Sequence, residues 1–196
     1  MKFVEPIRFS KSIATIKNIF RWEWNIRDLL LVELWINSAL RISDLLSIKV
    51  NYLFENDLTI KDFFDIKEKK TGKMSRITIT PKVRATLEDY KKAYPQIVSL
   101  EDNYIFFKRK TFPLGSASIW RKMSWYIISN ICEQVGLKGN FSNHSLRKTW
   151  WFIARTNGIP IEIIQHKLNH SSLLITQKYL GITADEIAEA CMKLDI

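Results

Sequence analysis

Apolar residues recur with a helical period along most of the chain. In residues 26–38 they form one broad face, which is typical of a helix that packs on a core: Leu29, Leu30, Val32, Leu34, Trp35 and Ile36. Helix-start and helix-stop residues extend this interpretation to the rest of the chain. Further helices are predicted over residues 9–20, from Ser43, from Pro81 to a point before Pro95, and over 116–134, 143–156, 160–168, 171–180 and 183–193.

A period of two replaces the helical period in the middle of the chain. Residues 58–66 are rich in β-forming side chains, and Arg76–Thr80 alternate between polar and apolar. Between them lies the basic run Lys69–Lys73, in which Gly72 favours a turn. These features predict a β-hairpin with a basic tip, and Tyr104–Phe107 are predicted as a short third strand. The fold class is therefore predicted to be mainly α with a small antiparallel β-sheet (α+β).

Composition favours one soluble domain with a polyanionic partner. The 196 residues are 46% hydrophobic, and the six glycines and five prolines form no linker, so we expect a single domain over 1–196. The net charge of +10 points to nucleic acid or to an anionic membrane surface. No apolar run reaches the roughly 18 residues of a membrane span, so we expect no membrane partner. Cys132 and Cys191 have no neighbours at metal-ligand spacing; reduced thiols in a cytoplasmic protein are expected, although a disulfide stays open.

Several residues could together cleave a phosphodiester, which needs a nucleophile, cations for the developing charge and an acid for the leaving oxygen. His144 and Arg147 are three residues apart, on one face of a predicted helix. Other candidates are Arg41 in an apolar segment, Lys70 and Lys73 at the hairpin tip, His170 at a helix junction, and Tyr179 nine residues later. Each has an ordinary structural explanation by itself. For Arg41 that explanation is an ion pair with Asp44, the local candidate.

The order of these candidates is more informative than any one of them. The segments ALRISDLL, KEKKTGKMSRITI, NHSLRKT, KLNHSS and TQKYL follow one another, with 26 positions from His144 to His170 and nine from there to Tyr179. In this order and spacing the sequence resembles the tyrosine recombinase (phage integrase) family over roughly residues 10–190. The resemblance implies the fold of that family's catalytic domain.

The resemblance also implies a role for each residue. Arg41 and Arg147 would clamp the scissile phosphate, with Asp44 supporting Arg41. His144 and His170 would assist proton transfer, and Tyr179 would attack to leave a 3′-phosphotyrosine and a free 5′ hydroxyl. The acid for the leaving oxygen would be Lys70, with Lys73 kept as the alternative.

Partners follow from the same resemblance. Double-stranded DNA would be the substrate, with further contacts from Lys73, Arg76 and Lys148, and neither metal, cofactor nor ATP would be needed. A homo-oligomer, tetrameric on synapsed DNA and weak or monomeric without it, would carry out integration or a related DNA recombination. The C-terminal helix, Thr183 to about Lys193, would dock on its own domain or on a neighbour.

Some features depart from the family or favour other functions. Ala39 and Asn169 stand where the family often has glycine, Lys148 stands where a second histidine is common, and we expect the family's N-terminal DNA-clamping domain to be absent. Residues 160–180 also resemble a helix-turn-helix, so a non-catalytic DNA-binding module is one alternative. A type IB topoisomerase-like enzyme and a nucleoid protein with a decayed site are the others.

Overall fold

The computed structural model describes residues 4–169, together with Ser172, Ala188, Cys191 and Met192. The chain divides into two compact units, Met1–Trp150 and Trp151–Ile196. Half of the second unit, including His170, Tyr179 and most of the predicted helices over 171–180 and 183–193, lies outside the described residues.

The described part is mainly helical. Its helices are α1 (Ser10–Trp22), α2 (Ile26–Ser38), α3 (Ile42–Leu45), α4 (Val50–Leu53), α5 (Pro81–Ala93), α6 (Pro95–Val98), α7 (Arg121–Gln134), α8 (Ser145–Thr156) and α9 (Ile161–Lys167). Two strands, β1 (Phe63–Lys67) and β2 (Met74–Thr78), form an antiparallel sheet. The predicted fold class is confirmed. Among the described residues, no helix is long and apolar enough to span a bilayer.

Helix α2 forms the centre of the core in the first unit. Its side chains are buried almost all round, which its nearly continuous apolar run requires. It packs against α5 on one side and α1 on another. At its end the indole of Trp35 is fully buried and donates from Nε1 to the carbonyl of Leu40 at 3.0 Å. This bond fixes the chain as it leaves α2, just before Arg41.

The predicted hairpin is present, in the register Phe63↔Thr78 to Lys67↔Met74. Phe64 and Ile66 of β1 are buried, and their exposed neighbours alternate with them as a half-buried strand requires. At the tip the amide of Gly72 donates to the carbonyl of Glu68 at 2.8 Å. Gly72 has φ +68°, a conformation that glycine adopts without steric cost.

The predicted third strand is wrong, and some predicted boundaries are displaced. Tyr104 and Phe107 form isolated bridges with Lys49 and Ser118 instead of a continuous ladder, because the two bridges face different partners. Ser118 pairs with Phe107 in an isolated bridge, which a helical backbone could not form, and α7 begins at Arg121 and not at 116. Likewise Leu58 has φ +62°, which is incompatible with an extended strand, and β1 begins at Phe63 although residues 58–66 were predicted to be β-forming.

In the second unit, the predicted end of α8 is confirmed. Gly158 has φ +74°, and its amide bonds to the carbonyl of Arg155 at 2.9 Å. The amide of Ile159 bonds to the carbonyl of Ala154 at 3.0 Å. These bonds satisfy carbonyls that the helix end leaves without partners.

Candidate active site

The turn after α2 positions Arg41. Ala39 ends the helix in the left-handed conformation, with φ 54° and ψ 21°, and the chain then becomes extended at Arg41. The carbonyl of Arg41 accepts the amides of Asp44 and Leu45 as the N-cap of α3. The Arg41 side chain is 16% exposed. Part of this side chain therefore remains accessible to solvent.

Glu68, and not Asp44, supplies the carboxylate that pairs with Arg41. An ion pair joins Nη1 of Arg41 to Oε2 of Glu68, whose side chain is 2% exposed. The other oxygen of Glu68 accepts a hydrogen bond from the Ser75 hydroxyl at 2.6 Å. The ion pair with Asp44, which was the ordinary structural explanation for Arg41, is not present among the described residues. The carboxylate comes from the hairpin, 27 residues away, where no local sequence pattern links it to Arg41.

Asp44 has a different function in this arrangement. Its side chain is fully buried, and Oδ1 accepts the backbone amide of Lys69 at 3.0 Å. Its other oxygen, Oδ2, has no hydrogen-bond partner among the described residues. Asp44 thus attaches the tip of the hairpin to α3. Any support that it gives to Arg41 is indirect, through Lys69 and its neighbour Glu68.

Arg147 reaches the same turn from α8. The side chain is 3% exposed, and its Nη1 donates a short hydrogen bond to the carbonyl of Ala39. This bond spans 108 positions of sequence and ends two residues before Arg41. A buried guanidinium beside the turn that carries a second one is an arrangement suited to an anion.

His144 lies one turn before Arg147 and remains exposed. Partial desolvation lowers the pKa of its imidazole, and the positive charges of Arg147, Arg121, Lys148 and Arg41 lower it further. The imidazole is therefore neutral at neutral pH. Because Arg41 and Arg147 both act on its pKa, the structure brings these three predicted residues together.

Arg121 is a further cation close to His144, and no sequence motif predicted it. It is the first residue of α7, and its carbonyl accepts a hydrogen bond from the Asn143 side chain at 2.9 Å. The hydroxyl of Ser124 bonds to the same Asn143 side chain at 3.1 Å. These bonds hold the start of α7 beside the loop that leads into α8. No motif in the sequence marks Arg121, since its proximity to His144 depends on tertiary packing.

The other predicted cations have varied surroundings. Lys70 and Lys73 are exposed at the hairpin tip. Arg76 is exposed and pairs with Asp65 through two hydrogen bonds, of 2.9 and 2.8 Å. Lys148 is buried, donates to the carbonyl of Val4 at 2.8 Å, and has its pKa lowered by desolvation. A DNA contact by Lys148 stays a prediction, although its ammonium already has a backbone partner.

Asn169 is described, whereas His170 and Tyr179 are not. Asn169 has φ +53°, and asparagine tolerates the left-handed conformation better than most residues other than glycine. Asparagine at this position therefore adopts a conformation that glycine would also allow. The places of His170 and Tyr179 relative to the cluster of Arg41, His144 and Arg147 stay predictions.

Comparison with known proteins gives the family. A model of the phage integrase family matches residues 11–186. The chain belongs to the phage integrase family. This integrase-family chain is 32% identical over 185 residues to the probable integrase/recombinase YoeC of Bacillus subtilis, covering 94% of the chain and 93% of YoeC. It is 28% identical over 169 residues to the tyrosine recombinase XerD of Corynebacterium glutamicum, covering 84% of the chain but 51% of XerD.

Solved structures show the same fold. The XerA recombinase has a TM-score of 0.75 at 16% identity, over 96% of this chain and 65% of XerA. The XerH recombinase, in a post-cleavage complex with its difH substrate, has a TM-score of 0.77 at 14% identity, over 98% of this chain and 53% of XerH. The integrase-family chain thus spans about half the length of XerD and of XerH. By family and fold it is a tyrosine recombinase catalytic domain, as the motifs predicted.

Proposed function

We propose that this domain cuts and rejoins double-stranded DNA through a 3′-phosphotyrosine at Tyr179, with Arg41 and Arg147 holding the scissile phosphate. One observation carries the proposal: the Arg147 guanidinium is hydrogen-bonded to the turn after α2 from which Arg41 extends. Arg147 binds the carbonyl of Ala39, and Arg41 follows two residues later. His144 lies close enough to both for their charges to lower its pKa.

These cations suit the charge that develops on a phosphate under attack. Each guanidinium offers several N–H donors in one plane, which match two non-bridging phosphate oxygens. In a partly buried site such donors stabilise the transition state more than they would in water. The anionic phosphate would also offset the neighbouring positive charges that lower the pKa of His144. The imidazole could then hold or transfer a proton during the reaction.

The proposed reaction balances without a cofactor. The Tyr179 oxygen forms a bond to phosphorus, the bond from phosphorus to the 5′ oxygen breaks, and the tyrosine proton passes to a base such as His144 or His170. Lys70 donates a proton to the departing 5′ oxygen, with Lys73 as the alternative donor. Attack by a 5′ hydroxyl on the phosphotyrosine reverses these steps. The energy of the broken phosphodiester is kept in the new bond, so rejoining requires no ATP.

Double-stranded DNA and further copies of the chain are the proposed partners. The net charge of +10 favours a polyanion, and the XerH structure is of a recombinase bound to its DNA substrate. Binding should weaken steeply with salt, because each phosphate contact releases counterions. We further propose that the chain assembles as a tetramer on synapsed DNA and acts in the cytoplasm on chromosomal or mobile-element DNA. Native gel electrophoresis tests the tetramer, which should appear as a slow-moving complex that contains two DNA sites. If every complex contains only one DNA site, even at the highest protein concentration, the tetramer is excluded.

Covalent capture tests the proposed reaction. Nicked suicide duplexes that tile the DNA flanking the gene are incubated with the chain in EDTA and separated on a denaturing gel. We expect a protein–DNA adduct with the wild-type chain and none with Tyr179→Phe. Adduct formation that requires Mg²⁺, or that survives Tyr179→Phe, would contradict the mechanism.

A further inference from the structure

Glu68 places a buried negative charge against a guanidinium that the proposed mechanism assigns to the scissile phosphate. Its side chain is 2% exposed, and its Oε2 pairs with Arg41. Its Oε1 accepts the hydroxyl of Ser75, on the opposite strand of the hairpin, at 2.6 Å. A buried carboxylate is tolerated only when it is paired and hydrogen-bonded, so these contacts fix the position of Glu68.

The backbone around Glu68 closes the hairpin tip and attaches it to α3. The amide of Glu68 donates to the carbonyl of Lys73 at 2.9 Å, and its carbonyl accepts the amide of Gly72 at 2.8 Å. The next amide, that of Lys69, donates to Asp44 at 3.0 Å. Lys70 follows directly. The contacts that orient Arg41 therefore also set where the tip of the hairpin begins.

The geometry of a guanidinium explains what this contact can do. Its five N–H donors lie in one plane, and the pair with Glu68 occupies the Nη1 end. Among the described residues the other N–H donors of Arg41 have no hydrogen-bond partner, so we expect them to bind the phosphate. A long arginine side chain held at one end loses less freedom when it binds a ligand at the other, which is preorganisation of the site.

We propose that Glu68 is a positioning residue, which holds Arg41 in the orientation that the phosphate requires and couples that orientation to the hairpin carrying Lys70. The inference rests on the proposed roles of Arg41 and Lys70. The alternation of buried and exposed positions along β1 supports this role. Phe64 and Ile66 are buried, and Glu68, directly after the strand, is the next buried residue in the series. A carboxylate buried at that position requires a hydrogen-bonding partner.

Two opposite effects distinguish positioning from a merely structural role. The Glu68 carboxylate repels the DNA backbone, so its removal should leave DNA affinity unchanged or make it tighter. Its removal should also slow cleavage on bound DNA, because Arg41 is no longer oriented. A residue that only stabilised the fold would, once lost, reduce binding and cleavage together.

The test compares Glu68→Gln and Glu68→Asp with the wild-type chain and with Glu33→Gln. Glu33 is a matched control: it is a buried carboxylate in α2 that pairs with Lys17 at 2.9 Å and accepts a hydrogen bond from Asn37, neither of which has a proposed role in the reaction. The probe is the nicked suicide duplex from the flanking DNA that gives an adduct with the wild-type chain. Dissociation constants and single-turnover cleavage rates at saturating protein are measured per folded molecule, with thermal unfolding giving the folded fraction.

We expect Glu68→Gln to slow cleavage on bound DNA by about tenfold to hundredfold without weakening DNA binding. Glu68→Asp, which keeps the charge, should recover part of the rate, and Glu33→Gln should cleave at the wild-type rate. A Glu68→Gln rate within twofold of wild type, or equal losses of rate and affinity in Glu68→Gln, would overturn the inference. Failure of the wild-type chain to form any adduct would instead overturn the proposed function.

Discussion

Removal of the Arg147 side chain should lower both the cleavage rate and the stability, and the structure allows the size of each effect to be estimated. Arg147→Ala removes a guanidinium that is 3% exposed and that binds the carbonyl of Ala39. Loss of one preorganised donor to transition-state charge typically costs about 2.7–4 kcal/mol, or roughly 10²–10³ in rate. Loss of the charge-assisted bond to Ala39 should add a stability cost of about 1.5–3 kcal/mol. Arg147→Lys keeps the positive charge but not the planar guanidinium, so its cleavage rate should lie between those of the wild-type chain and Arg147→Ala.

The assay is single-turnover cleavage of a suicide duplex at saturating protein, corrected for the folded fraction. Arg84→Ala is the matched control, because Arg84 also holds backbone carbonyls, those of Ile60 and Lys61 at 2.9 and 3.0 Å. It should lose stability but retain its cleavage rate. A rate for folded Arg147→Ala within threefold of wild type would refute the reasoning and make Arg147 a structural residue. As a second readout, the same variant should raise the pKa of His144 towards its usual value, measured by NMR titration.

Three further outcomes are expected. Ala39→Gly should raise the free energy of unfolding by up to about 1 kcal/mol in urea titrations, because glycine adopts the left-handed conformation without the steric cost that alanine has; an unchanged or lower free energy would show that Ala39 is not strained. The lowered pKa of His144 means that the unfolded chain binds a proton more readily, so stability should fall as pH drops below about 6.5, and His144→Gln should flatten this dependence in denaturant titrations. If Lys70 is the acid, a duplex with a 5′ bridging sulfur, whose thiolate leaves without protonation because a thiol is far more acidic than an alcohol, should rescue Lys70→Ala but not Lys73→Ala; the reverse pattern would assign the acid to Lys73.

Elements with a strong periodic pattern were predictable from the sequence. The observed bounds of α2 match the prediction, because its nearly continuous apolar run is stable only when buried. Pro81 is the first residue of α5, as expected. The third strand failed for a physical reason. Tyr104–Phe107 satisfies its backbone with partners on different segments, and an apolar run of four residues does not reveal such long-range pairing.

The site was predictable as a set of residue types but not as a set of contacts. The order and spacing of the motifs singled out Arg41, His144 and Arg147, which lie close to one another in the structure, while their roles stay predictions. The pairing of Arg41 with Glu68 was missed because Asp44 is nearer in sequence, whereas the fold turns Asp44 towards the amide of Lys69. The alternation of buried positions along β1 was the one available signal for Glu68.

The central claim is that Tyr179 becomes covalently bonded to a DNA phosphate held by Arg41 and Arg147. The most direct measurement is tandem mass spectrometry of the adduct after nuclease trimming and proteolysis. The account predicts a nucleotide linked through phosphate to the side chain of Tyr179, formed at a greatly reduced rate in Arg41→Ala and in Arg147→Ala. A nucleotide on any other residue, or adduct formation at an undiminished rate without either arginine, would contradict it.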